Sequence, residues 1–436
     1  MSLFGIFAAG FLVAALVLPP WTLLVGDFLT AHWFDDTSLA GVRLALSDVA
    51  LLCFAGALVL GRREEHERPA IPWQRLWWLL VLFLCGAYLV APMNQQHLTD
   101  PVRALWQLLR YAVKPVILYP LTVAFLARGE RLPRVLLAIA LSGAFVAFEG
   151  IEQGSETTQR AGGVFRTGNY MSGALLLPVL LSAGRVLFAR GRAERMAHLV
   201  LLLVMLRGFM FGGSRGAFVG LLAGGLCLGA GFWILERGRF VMAAVLGVAV
   251  LIGTFVIKPD LLERPRVARL LSASEGTEAH TFVWRLEQRW PHFLAIAWAN
   301  PVFGVGTDVD ESLSDSANTP HNGYISIAVK WGIPVLVLVV SFAGIGVFAS
   351  LSAFLRDGDR ARREWALLCF AGFGGFLTHN LVEATFLIEY ARRIFLLLVG
   401  VAVVLHRMPE LFSAAVVRPA EPEPPEESPP PPQGAA

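Results

Sequence analysis

The side chains with the widest chemical reach are a histidine and several arginines placed where apolar segments end. His321 opens the run His321-Asn322-Gly323-Tyr324, where a long polar loop returns to apolar sequence. An imidazole titrates near pH ~6.5, so in its neutral form it accepts a proton from a hydroxyl. Asn322 has the residue type of a helix N-cap, which leaves a purely structural role open for its neighbour. Arg215 lies in Gly212-Gly213-Ser214-Arg215-Gly216-Ala217, between two apolar segments. Small residues there admit close approach, and Ser214 suits the cap of the following helix. The exposed amides and positive dipole end of that helix, beside a guanidinium, would favour an anion such as phosphate. Arg160 and Asn169 bound a second short run that also holds Arg166, and Arg285 opens Arg285-Leu286-Glu287-Gln288-Arg289-Trp290. Each arginine could equally snorkel to lipid headgroups. What raises them together is convergence: four segments end at one membrane face with arginine or histidine, and a diphosphate needs more than one bidentate partner.

Other ionisable groups fall inside or near apolar sequence: Arg110, Lys114, Arg207 and Lys330. A charge at membrane depth is costly and is a functional candidate by default. On a continuous helix Lys330 would lie ~13 Å beyond His321. It needs a buried partner or water, and Glu383 and Glu389 are candidates by topology. No carboxylate pair is spaced as in a glycosidase, and no Asp-x-Asp or His/Cys cluster suggests a metal. Gly-rich nucleotide loops are absent too, so neither cofactor, metal nor ATP is expected.

The elements that must position these groups are apolar spans, expected at 3–26, 43–61, 76–92, 105–127, 135–152 and 168–188, then 198–213, 216–235, 240–257, 324–352, 365–382 and 392–406. Each approaches the ~20 residues that cross a bilayer as a helix. Arginines concentrate in alternate loops, at 62–75, 128–134, 190–195, 237–239 and 356–363, whereas loop 27–42 has none. The positive-inside rule then places both termini in the cytoplasm and the functional residues outside. Residues 258–322 form the one long outer loop, with 286–299 expected as an amphipathic interfacial helix.

Composition agrees with a membrane domain. The 436 residues are 56% hydrophobic and 16% charged, with mean hydropathy +0.61; a soluble domain carries about 25% charged residues. Irregular backbone and open sheet edges cannot face lipid, so the expected fold class is all-α, a polytopic bundle of about 12 transmembrane helices. A net charge of +3, spread over loops, gives no nucleic-acid footprint. Cys53, Cys85, Cys227 and Cys369 all lie in apolar spans and suggest neither zinc nor disulfides. The first span is too long for a signal-peptide core and is expected to be retained. Residues 1–410 form the membrane domain, and 411–436, ending in PAEPEPPEESPPPPQGAA, an expected disordered cytoplasmic tail.

Four segments together resemble the O-antigen ligase and polymerase superfamily of bacterial envelopes. They are Arg160 to Asn169, Gly213-Ser214-Arg215-Gly216-Ala217, Arg285 through Trp298-Ala299-Asn300-Pro301-Val302-Phe303-Gly304-Val305-Gly306, and His321 through Pro334. The resemblance implies a GT-C-like glycosyltransferase in the inner membrane. It would move a glycan from undecaprenyl diphosphate to an acceptor hydroxyl on the periplasmic face, with inversion. By position, Arg215, Arg285 and Arg160 would hold the diphosphate, and His321 would act on the hydroxyl. Asn322, Tyr324, Lys330 and Asn169 are supporting candidates. Lys330 departs from the family, which often has an acidic residue there. The implied partners are the lipid-linked donor, a glycan or lipid A–core acceptor, and membrane lipids. Ligation to lipid A–core is the first expectation, and polymerisation of lipid-linked repeats the second. A polysaccharide-lipid flippase or transporter, without covalent chemistry, is the alternative from another class; it would concentrate its ionisable residues at mid-membrane.

Overall fold

The computed structural model describes residues 12–14, 18–19, 21–30, 37–39, 42–44, 46–59, 71–90, 114–127, 129–156, 167–241, 283–305 and 320–413. Arg160, Arg166, Arg110, the expected span at 240–257 beyond Val241, most of the long loop and residues 414–436 lie outside them.

Almost every described element is a helix, because backbone groups surrounded by lipid must be satisfied within their own segment. In order they are α1 (Trp21–Leu29), α2 (Leu46–Val59), α3 (Gln74–Val90), α4 (Lys114–Leu121), α5 (Leu132–Glu156), α6 (Gly168–Phe188), α7 (Arg192–Gly212) and α8 (Arg215–Leu235). Then come α9 (Trp290–Ala299), α10 (Gly323–Trp331), α11 (Ile333–Arg356), α12 (Arg360–Asn380), α13 (Glu389–Arg407) and α14 (Pro409–Ser413). Five of them, α5 to α8 and α11, carry stretches long and apolar enough to cross a membrane. The chain is thus a multi-pass membrane protein.

The fold is all-α as expected, with one short addition: β1 (Thr37–Leu39) and β2 (Val42–Leu44) pair antiparallel, with Ser38 opposite Arg43, where the loop expected at 27–42 meets the span expected at 43–61. Two expectations need correction. The first span is interrupted, since α1 starts afresh at Trp21 after the prolines at 19 and 20. The span at 324–352 is two helices, α10 and α11, divided at Gly332. At the end of the described residues α14 docks on the bundle: Phe412 is buried and its ring meets Trp365 edge to face.

α13 is the axis of the bundle, buried from Tyr390 to Leu405. Arg393 bridges to Asp27 of α1 at 3.2 Å and to Glu389 one turn earlier. Glu389 is therefore engaged on its own helix. Two further devices aim the functional ends of the chain. First, α8 and α12 approach backbone to backbone: a Cβ at Gly220 would lie 2.9 Å from the Gly375 carbonyl, and one at Gly224 2.8 Å from that of Ala371. Small residues at such a contact let two membrane helices close up, and the contact brings Arg215, at the start of α8, over the end of α12. Second, the segment after α9 is laced to the α10–α11 joint: Ile333 N donates to Pro301 O at 2.8 Å and Val305 N to Val329 O at 2.8 Å.

That joint demands glycine. Gly332 has φ 89° and ψ 166°, a region essentially restricted to glycine. A Cβ there would also overlap the Val302 carbonyl. Gly332→Ala is therefore expected to destabilise by about 3 kcal/mol or more, from backbone strain plus overpacking. Thermal unfolding in detergent would show it as a clear fall in Tm. Gly344→Ala, on the same helix pair but with nothing within 4 Å of its Cβ position, should leave Tm unchanged.

Candidate functional site

The site forms around the last residue of α12 and the turn that follows it, Asn380-Leu381-Val382-Glu383. Segments singled out in the sequence converge there. Asn322 caps α10, accepting from Tyr324 N at 3.0 Å and Ile325 N at 3.1 Å through Oδ1. Its Nδ2 donates to Leu381 O at 3.0 Å, so the cap also ties α10 to α12. Tyr324 adds a second tie, from its hydroxyl to Leu377 O at 3.0 Å. Arg285 Nη1 donates to Val382 O at 3.3 Å. Gly216 rests on the Val382 side chain and on the His379 ring, which sets half-buried Arg215 beside the same turn. Ser214 caps α8 as its type suggests, accepting from Ala217 N at 3.3 Å.

Glu383 is the centre of the arrangement. Its side chain is only 6% exposed, whereas that of His321 is 26% exposed. The His321 Nδ1 lies 3.2 Å and 3.1 Å from the two carboxylate oxygens. Asn169, in the first turn of α6, donates to Oε1 at 2.7 Å. A carboxylate can only accept, so Nδ1 carries the hydrogen and Nε2 is left as the basic nitrogen. His321 itself sits at φ 48°, in the left-handed region, between Pro320 and the Asn322 cap. Trp290 helps to hold that turn, donating from Nε1 to Pro320 O at 3.0 Å. A strained backbone held by its surroundings is a recurrent mark of a functional residue.

The cationic side of the site is built on a π-helical turn, Arg285–Arg289, leading into α9. Arg285 and Arg289, four residues apart, share a face of this turn. Burial, and then the Arg285 charge, draw the Arg289 guanidinium below its ordinary range, while Glu383 opposes the shift. Trp284 backs Arg289, its ring centroid 5.1 Å from the guanidinium carbon. The Nε of Arg285 is buried without a partner among the described residues. Crowded guanidinium groups with a donor left over are a surface that an anion would stabilise. The expected interfacial helix at 286–299 is present as the π turn and α9, with Phe293 and Ala297 turned into the protein and Trp298 outward.

Of the residues expected from sequence, the structure brings His321, Asn322, Tyr324, Asn169 and Arg285 to one neighbourhood, with Arg215 against the same turn. Arg160 lies outside the described residues. Lys330 is buried at the end of α10, where its backbone lies against Gly304. Glu383, weighed in the sequence only as a counter-charge for Lys330, is engaged with His321 and Asn169. Arg289 was passed over as one more interfacial arginine, although its i, i+4 spacing from Arg285 puts the two on one face.

Residues 200–340 match the family model described as O-antigen ligase, so this segment is similar to that family. The match holds Arg215, Arg285 and His321; Asn169 and Glu383, which complete the cluster, lie outside it. No curated protein matches the chain.

Proposed function

With the O-antigen ligase match as premise, we propose that this protein transfers a glycan from undecaprenyl diphosphate to an acceptor hydroxyl at the His321 end of the bundle. The observation that carries the proposal is the hydrogen bond between His321 Nδ1 and the buried Glu383 carboxylate. It presents Nε2 as a base toward the accessible side of the site.

The acceptor oxygen attacks the anomeric carbon of the donor sugar, and the bond from that carbon to the diphosphate oxygen breaks. The hydroxyl proton passes to His321 Nε2, and the electron pair of the broken bond stays on the diphosphate. Arg215 and Arg285 stabilise the charge that develops there, as preorganised donors do in a site where little solvent competes. Direct displacement from the opposite face inverts the anomeric centre. The acceptor proposed first is lipid A–core, with the site on the periplasmic face of the inner membrane and both termini in the cytoplasm.

The test is transfer by the purified full chain from an undecaprenyl-diphosphate oligosaccharide, offered lipid A–core or a second lipid-linked repeat. Products are followed by gel shift and mass spectrometry. Growth of lipid A–core supports ligation, and growth of the lipid-linked repeat would instead make the protein a polymerase. Arg285→Ala is expected to slow transfer by about 10²-fold, the order for loss of one donor to a developing anion. A folded chain that binds the donor yet transfers to neither acceptor would overturn the proposal in favour of a flippase.

A further inference from the structure

At the far end of the bundle from His321, α11 and α13 leave a groove of about 390 Å³ between them. Gly344 and Phe348 of α11 and Val403 of α13 line it, with Trp73 ahead of α3 at one side. The groove is open at its floor, since nothing lies within 4 Å of the Cβ position of Gly344. α11 begins at Ile333, where α10 ends its course away from His321, and runs for 24 residues to Arg356, a length of about 36 Å. Its last turns therefore lie on the opposite side of the membrane from His321.

Cations gather at that end. His406 and Arg407, the last residues of α13, line the groove, and the His406 ring packs edge to face on Phe348 with 5.6 Å between centroids. The charges of Arg407 and Arg356 both bear on His406. Among the described residues no carboxylate forms an ion pair with Arg356, His406 or Arg407. Asp357, which follows Arg356, is engaged with Arg362 at 2.9 Å. Like charges held together without a protein counter-charge cost stability until an anion joins them.

We propose that this groove binds an anionic phospholipid, with an acyl chain along Gly344 and Phe348 and the headgroup phosphate held by Arg407 and Arg356. The volume falls within the roughly 300–1,000 Å³ of small-molecule sites. Trp73 suits the membrane interface, where an indole has an apolar body and a polar edge. A soluble phosphate compound would leave the apolar floor uncovered. A second copy of the chain, meeting this face through two-fold symmetry, would set its own arginines against these.

Native mass spectrometry of the full chain would test this, using phosphatidylglycerol and phosphatidylcholine with identical acyl chains. Phosphatidylglycerol is expected to be retained preferentially. The double variant R356Q/R407Q should weaken its retention by roughly fivefold for each arginine removed and leave phosphatidylcholine unchanged. Gly344→Leu, which fills the floor, should reduce retention of both lipids. All variants should keep the elution volume of the intact protein and its glycan transfer, because the groove is remote from His321. Equal retention of the two lipids by the wild type, or no response to either variant, would overturn the proposal. A discrete dimer that R356Q/R407Q strengthens would overturn it in favour of a second copy.

Discussion

His321→Asn is expected to lower glycan transfer by about 10²- to 10⁴-fold, the range for removing a positioned general base. Asparagine is the informative replacement because His321 sits at φ 48°. Asparagine enters the left-handed region more readily than other non-glycine residues, so the turn before α10 is kept. Its side-chain amide can still donate to Glu383, which spares the buried carboxylate from losing a partner. What it lacks is a nitrogen able to take the hydroxyl proton. Donor binding should survive, because the diphosphate contacts are assigned to Arg215 and Arg285. Single-turnover transfer, run beside a binding measurement with the lipid-linked donor, separates the two effects. A rate within threefold of the wild type would remove His321 from the chemistry and leave it as a turn residue.

The contrast between what was and was not legible in the sequence follows from distance along the chain. α6 occupies 168–188 as expected from its apolar run. Ser214 and Asn322 cap their helices as their residue types suggest, because capping is decided within three or four residues. The gathering of His321, Asn322 and Arg285 near one turn was foreshadowed by their common place at the ends of apolar spans. Glu383 was not, since its hydrogen bonds reach back 62 residues to His321 and 214 to Asn169. No periodicity or motif encodes such a pairing; it follows from α6 and α10 packing on the end of α12, where Gly173 meets His379 and Gly323 meets Asn380. The division at Gly332 had a local signal, in Gly332-Ile333-Pro334, but hydropathy continues through it unbroken. The tight Val302 to Gly332 approach that makes glycine necessary is itself a tertiary contact. Arg289 had a local signal: four residues after Arg285, it shares a face of the helical segment with it.

Glu383→Gln tests whether the carboxylate does more than hold the fold. The replacement is nearly isosteric, and the amide oxygen can still accept from Asn169, whose bond to Oε1 is 2.7 Å long. The amide nitrogen, however, turned toward His321, would donate where the carboxylate accepts. Nδ1 would then become the acceptor, and the hydrogen would move to Nε2, the nitrogen that must be free of it to act as a base. Loss of transfer by about 10²- to 10⁴-fold is expected, with donor affinity little changed, because a wrong tautomer disables proton transfer without disturbing the site's shape. Glu383→Ala would be a poorer test: it removes the acceptor from both Asn169 and His321 and leaves a gap in the site, so lost support and a lost tautomer would not be told apart. The discriminating comparison is therefore Glu383→Gln against Asn169→Ala, which shortens the support for Glu383 but leaves the histidine tautomer in place. If the two variants lose activity equally and in proportion to a loss of thermal stability, Glu383 is a structural anchor. If Glu383→Gln keeps its Tm and loses the rate, the buried carboxylate sets the proton on His321.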